Sequence, residues 1–411
     1  MLQTLPLLYT LAGLVLYTVL AGADFGAGIW QLSAFGRGTA RQVREHAHHA
    51  NAPVWEANHV WLIFALVMLW TAYPTFLGSV ASTAIIPLGL ALVGIIFRGL
   101  GYTLQGTVEH SRQRAVIDNV FAFASLLTPF MLTTVLGALA SDRIPVGNAT
   151  GDPVTSWLNP TSVLCGTLGL GVSAYLAAVY LAADAARMRS ASLVAAFRRR
   201  AIATGVLTGV LSVAGLPILA HDAHRVYLGL TSGWGLAALV VTVASGAASL
   251  VLVLRNTFQA ARLVAAAAVA ALLVGWAAAE RPYLLPGLTL PQAASGTATL
   301  VALTVAVLVG GALLAPSLLW LFRLTLAGRF DAHSPAHPAP AQPPPVHPRP
   351  AKPAHHPRIA LSALLIGLLL LTVADGAAAH TIGVISLAIA ACTGFATIDP
   401  TRLAAGQDRR T

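Results

Sequence analysis

The residues with the most chemistry in them are Asn51-Ala-Pro-Val-Trp-Glu-Ala-Asn-His-Val-Trp61. A carboxylate (Glu56), an imidazole (His59), two amides (Asn51, Asn58) and two indoles (Trp55, Trp61) stand together there, and an apolar run to Leu77 follows at once. Such groups cost free energy near hydrocarbon, so a cluster of them at the mouth of a membrane helix marks a functional site by default. Asp24 in the first apolar run, Arg98 near the end of the third and Asp118 at the start of the fourth lie at a similar depth. If these helices bundle, the groups can meet. A buried arginine among carboxylates is compatible with a structural ion pair, here Arg98 with Asp118 or Asp24. A carboxylate without a full counter-charge in a low-dielectric site tends to hold a proton. Glu56, with Asp24, Asp118 and His59, therefore reads as a proton path, and Trp55, Asn58 and Arg98 as the polar cluster that packs it.

The elements that must position these side chains follow from composition. The chain has 411 residues, 57% of them hydrophobic and 9% charged, with a mean hydropathy of +0.76. Apolar runs long enough to cross a bilayer as helices, about 20 residues each, recur along it. The expected spans are Leu5–Leu32, Val60–Leu77, Ser79–Leu104, Asn119–Ala140, Pro160–Ala183, Ala201–Ala220, Tyr227–Leu254, Leu263–Ala279 and Gly296–Phe322, then Ile359–Val373 and His380–Ile398. The first run is too long for a cleaved signal and lacks a basic leader, so it reads as a retained span. This is an all-α polytopic membrane protein. Strands of a barrel would show short alternating segments instead.

Of the 24 Lys and Arg residues, all but Arg143, Arg225 and Arg281 fall on one side if the N-terminus is outside. Cytoplasmic loops are enriched in Lys and Arg, which orients the chain with its C-terminus in the cytoplasm. The same bias explains the net charge of +10 without a nucleic-acid partner. Residues 329–357 are rich in Pro and His, without apolar periodicity, and read as an extended linker. They separate a membrane domain, 1–328, from a C-terminal hairpin and tail, 358–411. The linker histidines have nothing to fix a coordination geometry, and no metal site is assigned. Cys165 and Cys392 lie far apart in apolar runs and read as small core residues.

Haem needs His, Met or Cys axial ligands inside the spans. Most histidines fall in loops or the linker; His59 and His380 only touch span ends, and Met68 and Met131 have no partner histidine at depth. The chain is expected to bind no haem firmly.

At this point the residues resemble a family. Gly22-Ala-Asp-Phe-Gly-Ala-Gly28, Ala52-Pro-Val-Trp-Glu-Ala-Asn-His-Val-Trp61, Phe97-Arg98-Gly99 with Gly101, Glu109…Arg114…Asp118 and Arg281-Pro-Tyr-Leu-Leu-Pro286 are similar to subunit II of cytochrome bd-type quinol oxidases. The likeness runs to about residue 328. Glu56 stands where the family usually has Asp, which keeps the carboxylate on a longer arm. The resemblance implies about nine core transmembrane helices, in two four-helix bundles plus one peripheral helix, with residues beyond 330 as a two-helix extension. It also implies a bacterial inner-membrane complex with a haem-bearing subunit I that holds haem b and haem d and oxidises quinol to reduce O2 to water. This chain would be its haem-free partner, with Glu56 in a cytoplasmic proton path, Trp61 near an oxygen route, room for a structural quinone, and small single-span subunits as further partners. The competing reading is a proton- or cation-coupled transporter. Its support is the acid cluster and the prolines Pro74, Pro87, Pro129 and Pro217, which can break helices around a site. A membrane scaffold, with the polar cluster as packing device, is the third.

Overall fold

The computed structural model describes residues 2–33, 38–51, 55–105, 111–148, 151–326, 356–372 and short stretches between 378 and 390; the side chains of Trp55 and Glu56 are outside the description. The chain divides into two compact units, Met1–Arg323 and Leu324–Thr411.

The helices are α1 (Leu5–Ser33), α2 (Thr39–Asn51), α3 (Trp55–Ala72), α4 (Pro74–Thr83), α5 (Ile85–Gln105), α6 (Ser111–Ala140), α7 (Pro160–Arg187), α8 (Ala191–Asp222), α9 (His224–Leu230), α10 (Gly233–Leu254) and α11 (Phe258–Glu280). A short hairpin, β1 (Tyr283–Leu285) and β2 (Leu288–Thr289), leads through α12 (Leu290–Ala293) to α13 (Thr297–Leu326). The second unit contains α14 (His356–Thr372). Eight helices are long and apolar enough to cross a membrane, or nine if the bent pair α3–α4 counts as one span, among the described residues.

Helix α1 packs on α3, α6 and α7, and α5 packs on α6, which gathers α1, α3, α5 and α6 into one bundle. Helices α7, α8, α10 and α11 form the second. α13 buries little of its length and lies at the edge. The bundles join where α1 meets α7, and glycine makes that contact possible. A Cβ on Gly26 would be driven into the Ser173 carbonyl oxygen and against Ala177. In lipid, small residues of this kind let backbones approach and gain dispersion contacts.

Three expected spans are interrupted, Ser79–Leu104 among them, which breaks at Ala84 between α4 and α5. The Val60–Leu77 run breaks at Tyr73, where Pro74 opens α4 and the axis turns by 119°. Proline lacks the N–H that would continue α3 and its ring clashes with the preceding turn. The carbonyls freed at the end of α3 find partners: Ser295 N–H donates to Ala72 O (2.8 Å) and Ser295 Oγ to Thr71 O (2.7 Å). Tyr73, fully buried, donates its hydroxyl to Gln3 O (2.6 Å). The Tyr227–Leu254 run breaks at Thr231–Ser232, and α10 opens on Gly233, whose φ of +48° favours glycine, so α9 is separate from α10. A further difference is α2, an amphipathic helix where a loop was expected; Val43, His46 and Ala47 are buried.

The two ends of unit 1 are held differently. At the end remote from the arginine-rich loops, Arg143 donates to both oxygens of Asp222 (3.0 and 2.6 Å), and Asp222 also accepts from Thr161 N–H and Oγ1 at the start of α7. Hydrogen bonding to Asp222 outweighs partial burial and raises the Arg143 guanidinium above its ordinary proton affinity. Arg225 bridges Asp142 and Glu280, both at 2.6 Å. At the arginine-rich end, α7 and α10 stop at residues in the left-handed region, Arg189 (φ 56°) and Asn256 (φ 59°). Ser190 N–H reaches Ala185 O and Thr257 N–H reaches Leu252 O, so the last carbonyls are capped by the backbone itself.

The helix junction predicts a contrast between two glycines. Gly26→Ala should lower the midpoint of thermal unfolding in detergent by the equivalent of about 1–3 kcal/mol or more, because backbone must move. Gly209 lies in α8 with open space around it, so Gly209→Ala should leave the midpoint unchanged or raise it slightly. Equal effects would contradict the packing.

Candidate functional site

The polar centre of the first bundle is built from one residue type that hydrocarbon tolerates least. Arg98 on α5 is 1% exposed and Asp24 on α1 is 2% exposed, and Arg98 Nη2 lies 2.7 Å from Asp24 Oδ1. Arg98 also donates to Ser125 Oγ on α6, and Tyr102, one turn along α5, donates its hydroxyl to Asp24 Oδ1 (2.8 Å). The guanidinium sits over the rings of Phe25 (4.7 Å) and Phe121 (4.5 Å). Cation–π contact of this kind strengthens when water is excluded. Three helices thus converge on one charge. Gly28 permits it: a Cβ there would collide with Ser125 and reach Arg98 Nη1 at 3.0 Å.

Of the two carboxylates expected to serve Arg98, the structure brings Asp24 and not Asp118. Asp118 lies exposed on α6. His59 and Asn58 are on the first turns of α3. His59 is half-buried with its ring edge-on to Tyr17 of α1 (centroids 6.1 Å apart). Asn58 is fully buried, and neither its amide nitrogen nor its oxygen has a hydrogen-bond partner. The Tyr17 hydroxyl and Asp24 Oδ2 are likewise buried and unpartnered. Tyr17 stands two turns from Asp24 along the same face of α1, so these groups line the seam between α1 and α3. Unpaired buried polar atoms cost about 1–3 kcal/mol each, and native structures retain them where function or a bound water uses them. Trp61 packs against Tyr17 and Phe25 and edge-on to Phe64 (6.3 Å). The Glu56 backbone places it in the first turn of α3, next to this seam in sequence; its side chain, with that of Trp55, lies outside the described residues.

Tyr17, Tyr102 and Ser125 were not singled out in the sequence. Tyr17 and Ser125 stand on helix faces defined by Asp24 and Arg98, and only spacing combined with knowledge of helix order would reveal them. Among the described residues no group of three or more His, Cys, Asp or Glu is placed to hold a metal ion. His46, expected in a loop, is buried on α2, but its Nε2 is engaged with Leu181 O (3.1 Å) and its ring with Phe197. Met68 on α3 and Met131 on α6 are buried on different helices.

A family profile, Cytochrome bd terminal oxidase subunit II, matches residues 2–325. Cytochrome bd ubiquinol oxidase subunit 2 of Bacillus subtilis (strain 168) is 30% identical over 120 residues, 29% of this chain and 35% of the relative. Cytochrome bd-I ubiquinol oxidase subunit 2 of Escherichia coli (strain K12) is 26% identical over 181 residues, 42% of this chain and 47% of the relative. The matched part thus spans about a third to a half of these relatives' length. A chain of the bd oxidase structure from Geobacillus thermodenitrificans superposes with a TM-score of 0.61 at 23% identity, covering 79% of this chain and 98% of that one, which supports the fold. With the profile running over nearly all of the first unit, the chain belongs to the cytochrome bd terminal oxidase subunit II family.

Proposed function

We propose that this chain is the haem-free subunit of a quinol-oxidising, oxygen-reducing complex of the bacterial inner membrane. It packs against a haem-bearing partner and supplies part of the cytoplasmic proton route. The observation that carries this reading is the family match over residues 2–325, together with a buried polar seam of Tyr17, Asp24 and Asn58. Haem b and haem d then belong to the partner, and this chain's residues act on protons. Glu56 is the entrance at the head of α3, and His59, Asn58 and Tyr17 line the way inward. Asp24 is held by Arg98 and positions the helices rather than carrying protons itself. Asp118, exposed on α6, faces whatever adjoins that helix and has a place in the route only through the partner subunit. The arginine bias puts the N-terminus outside and the C-terminus in the cytoplasm.

A cation-coupled transporter would need free backbone carbonyls at a helix break. At the break at Tyr73, Ser295 takes the Thr71 and Ala72 oxygens.

Four outcomes test this. Purified from its native membrane, the chain should carry with it a stoichiometric haem-bearing subunit and quinol-dependent oxygen uptake; a colourless isolated chain refutes the proposal. Within the complex, Glu56→Gln should slow oxygen uptake about a hundredfold, the low end for loss of a positioned proton carrier, while Glu109→Gln leaves it near wild type; equal, small effects remove Glu56 from the route. Arg98→Ala should destabilise by about 3–5 kcal/mol, because it leaves Asp24 buried and unpaired. Replacing both partners, Asp24→Leu with Arg98→Met, should recover most of that stability and retain activity if the pair is structural. Stability regained with activity lost would make Asp24 part of the proton route. Lastly, a chain ending at Leu326 should still assemble, since the family match stops at residue 325; failure to recover the complex makes the extension essential.

A further inference from the structure

The arginine-rich end of the second bundle holds a cleft that the proposed function does not use. It has a volume of about 760 Å³ and opens between the α7–α8 turn and the α10–α11 turn. Arg189, Arg198, Arg199 and Asn256 line it, with Val194 and Ala195 as its apolar wall. Asp184, near the end of α7, is already engaged by Arg187 and by Arg262 at 3.7 Å. Among the described residues none of Arg189, Arg198 and Arg199 has a carboxylate partner. Arg198 is fixed in place by donating to Val253 O (3.3 Å) and Leu254 O (2.8 Å) at the end of α10, which leaves donors on the same guanidinium for a ligand. Ser190 and Ala191, at the start of α8, also line the cleft, and the N-cap Ser190 makes no side-chain cap bond.

A cleft with this excess of positive charge takes a phosphate-bearing anion. The surface beyond it says which. From Arg199, exposed Val206, Val210 and Val213 continue along α8 at three- to seven-residue helical spacing, on the face that lines the cleft. A ligand with a phosphodiester head and a hydrocarbon tail matches both parts, and the helix ends are where lipid headgroups lie. We infer that this cleft is a specific site for one anionic phospholipid, with its phosphodiester on Arg189, Arg198 and Arg199 and an acyl chain along the Val206–Val210–Val213 stripe. Basic pockets at such helix ends are a recurrent solution for anionic headgroups.

The test uses the full-length chain in its native complex, delipidated in non-ionic detergent and titrated with phosphatidylglycerol, phosphatidylcholine or inorganic phosphate. Binding is read as the shift in thermal unfolding and as lipid retained in native mass spectrometry. Phosphatidylglycerol should bind and stabilise while phosphatidylcholine does not. Arg189→Gln with Arg199→Gln, both exposed, should weaken phosphatidylglycerol binding about tenfold or more, the loss expected for at least one charge-assisted contact. Val210→Asn should weaken it too, and Arg255→Gln, outside the cleft, should not. Equal retention of the two lipids by the wild-type complex overturns the inference without relying on any variant. So does undiminished binding in the double arginine variant. Stabilisation by inorganic phosphate that is lost in the double variant and unaffected by Val210→Asn identifies a soluble-anion site and overturns the lipid assignment.

Discussion

Burying a guanidinium among membrane helices is the constraint on which the first bundle depends. An ion taken from water into a low-dielectric interior loses several kcal/mol of solvation even after relaxation. Arg98 recovers this only by having a carboxylate, a hydroxyl and aromatic faces in contact at once. Those partners come from α1 (Asp24, Phe25), α5 itself (Tyr102) and α6 (Phe121, Ser125). The helices therefore cannot slide or separate without exposing a bare charge to hydrocarbon. Gly28 next to Ser125, Gly94 next to Thr128 and Gly101 next to Phe121 follow from the same demand, since each removes a side chain that would hold the backbones apart. A buried pair gives weaker evidence for net stability than for a single permitted arrangement, because an apolar pair of equal volume avoids the desolvation altogether.

The far end of the unit applies the same chemistry where water is near. Two of the three arginines that depart from the one-sided bias, Arg143 and Arg225, are held by Asp222 and by Asp142 with Glu280. Their positive charge is balanced on the spot by these carboxylates. These pairs also tie the ends of α6, α7, α8 and α11 together. The hairpin and α12 pack Leu285, Leu288 and Ala293 onto Tyr73, Phe76 and Val80, and this closes the end of the bundle at the α3–α4 corner.

Much of this was readable from the sequence, and the failures have physical causes. Hydropathy locates the spans because each must satisfy its own backbone in lipid. The depth of Asp24 and Arg98 followed from their position along those spans. Hydropathy does not see interruption: the run through Tyr73 stays apolar across the break, and only Pro74 signals it. The amphipathic α2 was missed because its mean polarity is that of a loop, although Val43, His46 and Ala47 share one buried face. Within the site, the choice between Asp24 and Asp118 as partner of Arg98 needed helix rotation, which single-residue depth does not supply. Tyr17, Tyr102 and Ser125 carry no signature of their own and become visible only once the pair is located.

The pairing of Asp24 narrows where protons can travel on the proposed function. A carrier must exchange charge with little penalty in either state. Freeing Asp24 from Arg98 in either state would strand a buried guanidinium, so Asp24 is ill suited to the role even though its Oδ2 is bare. The fixed charge still matters to the groups beside it. Asp24 and Arg98 cancel as a pair yet present oriented dipoles toward the α1–α3 seam, where the Tyr17 hydroxyl and the Asn58 amide wait without partners. Neutral groups of this kind can pass hydrogen bonds through water without changing charge. The carboxylate that does change charge then has to sit outside the pair, near the mouth of α3, and Glu56 is the acid the sequence places there.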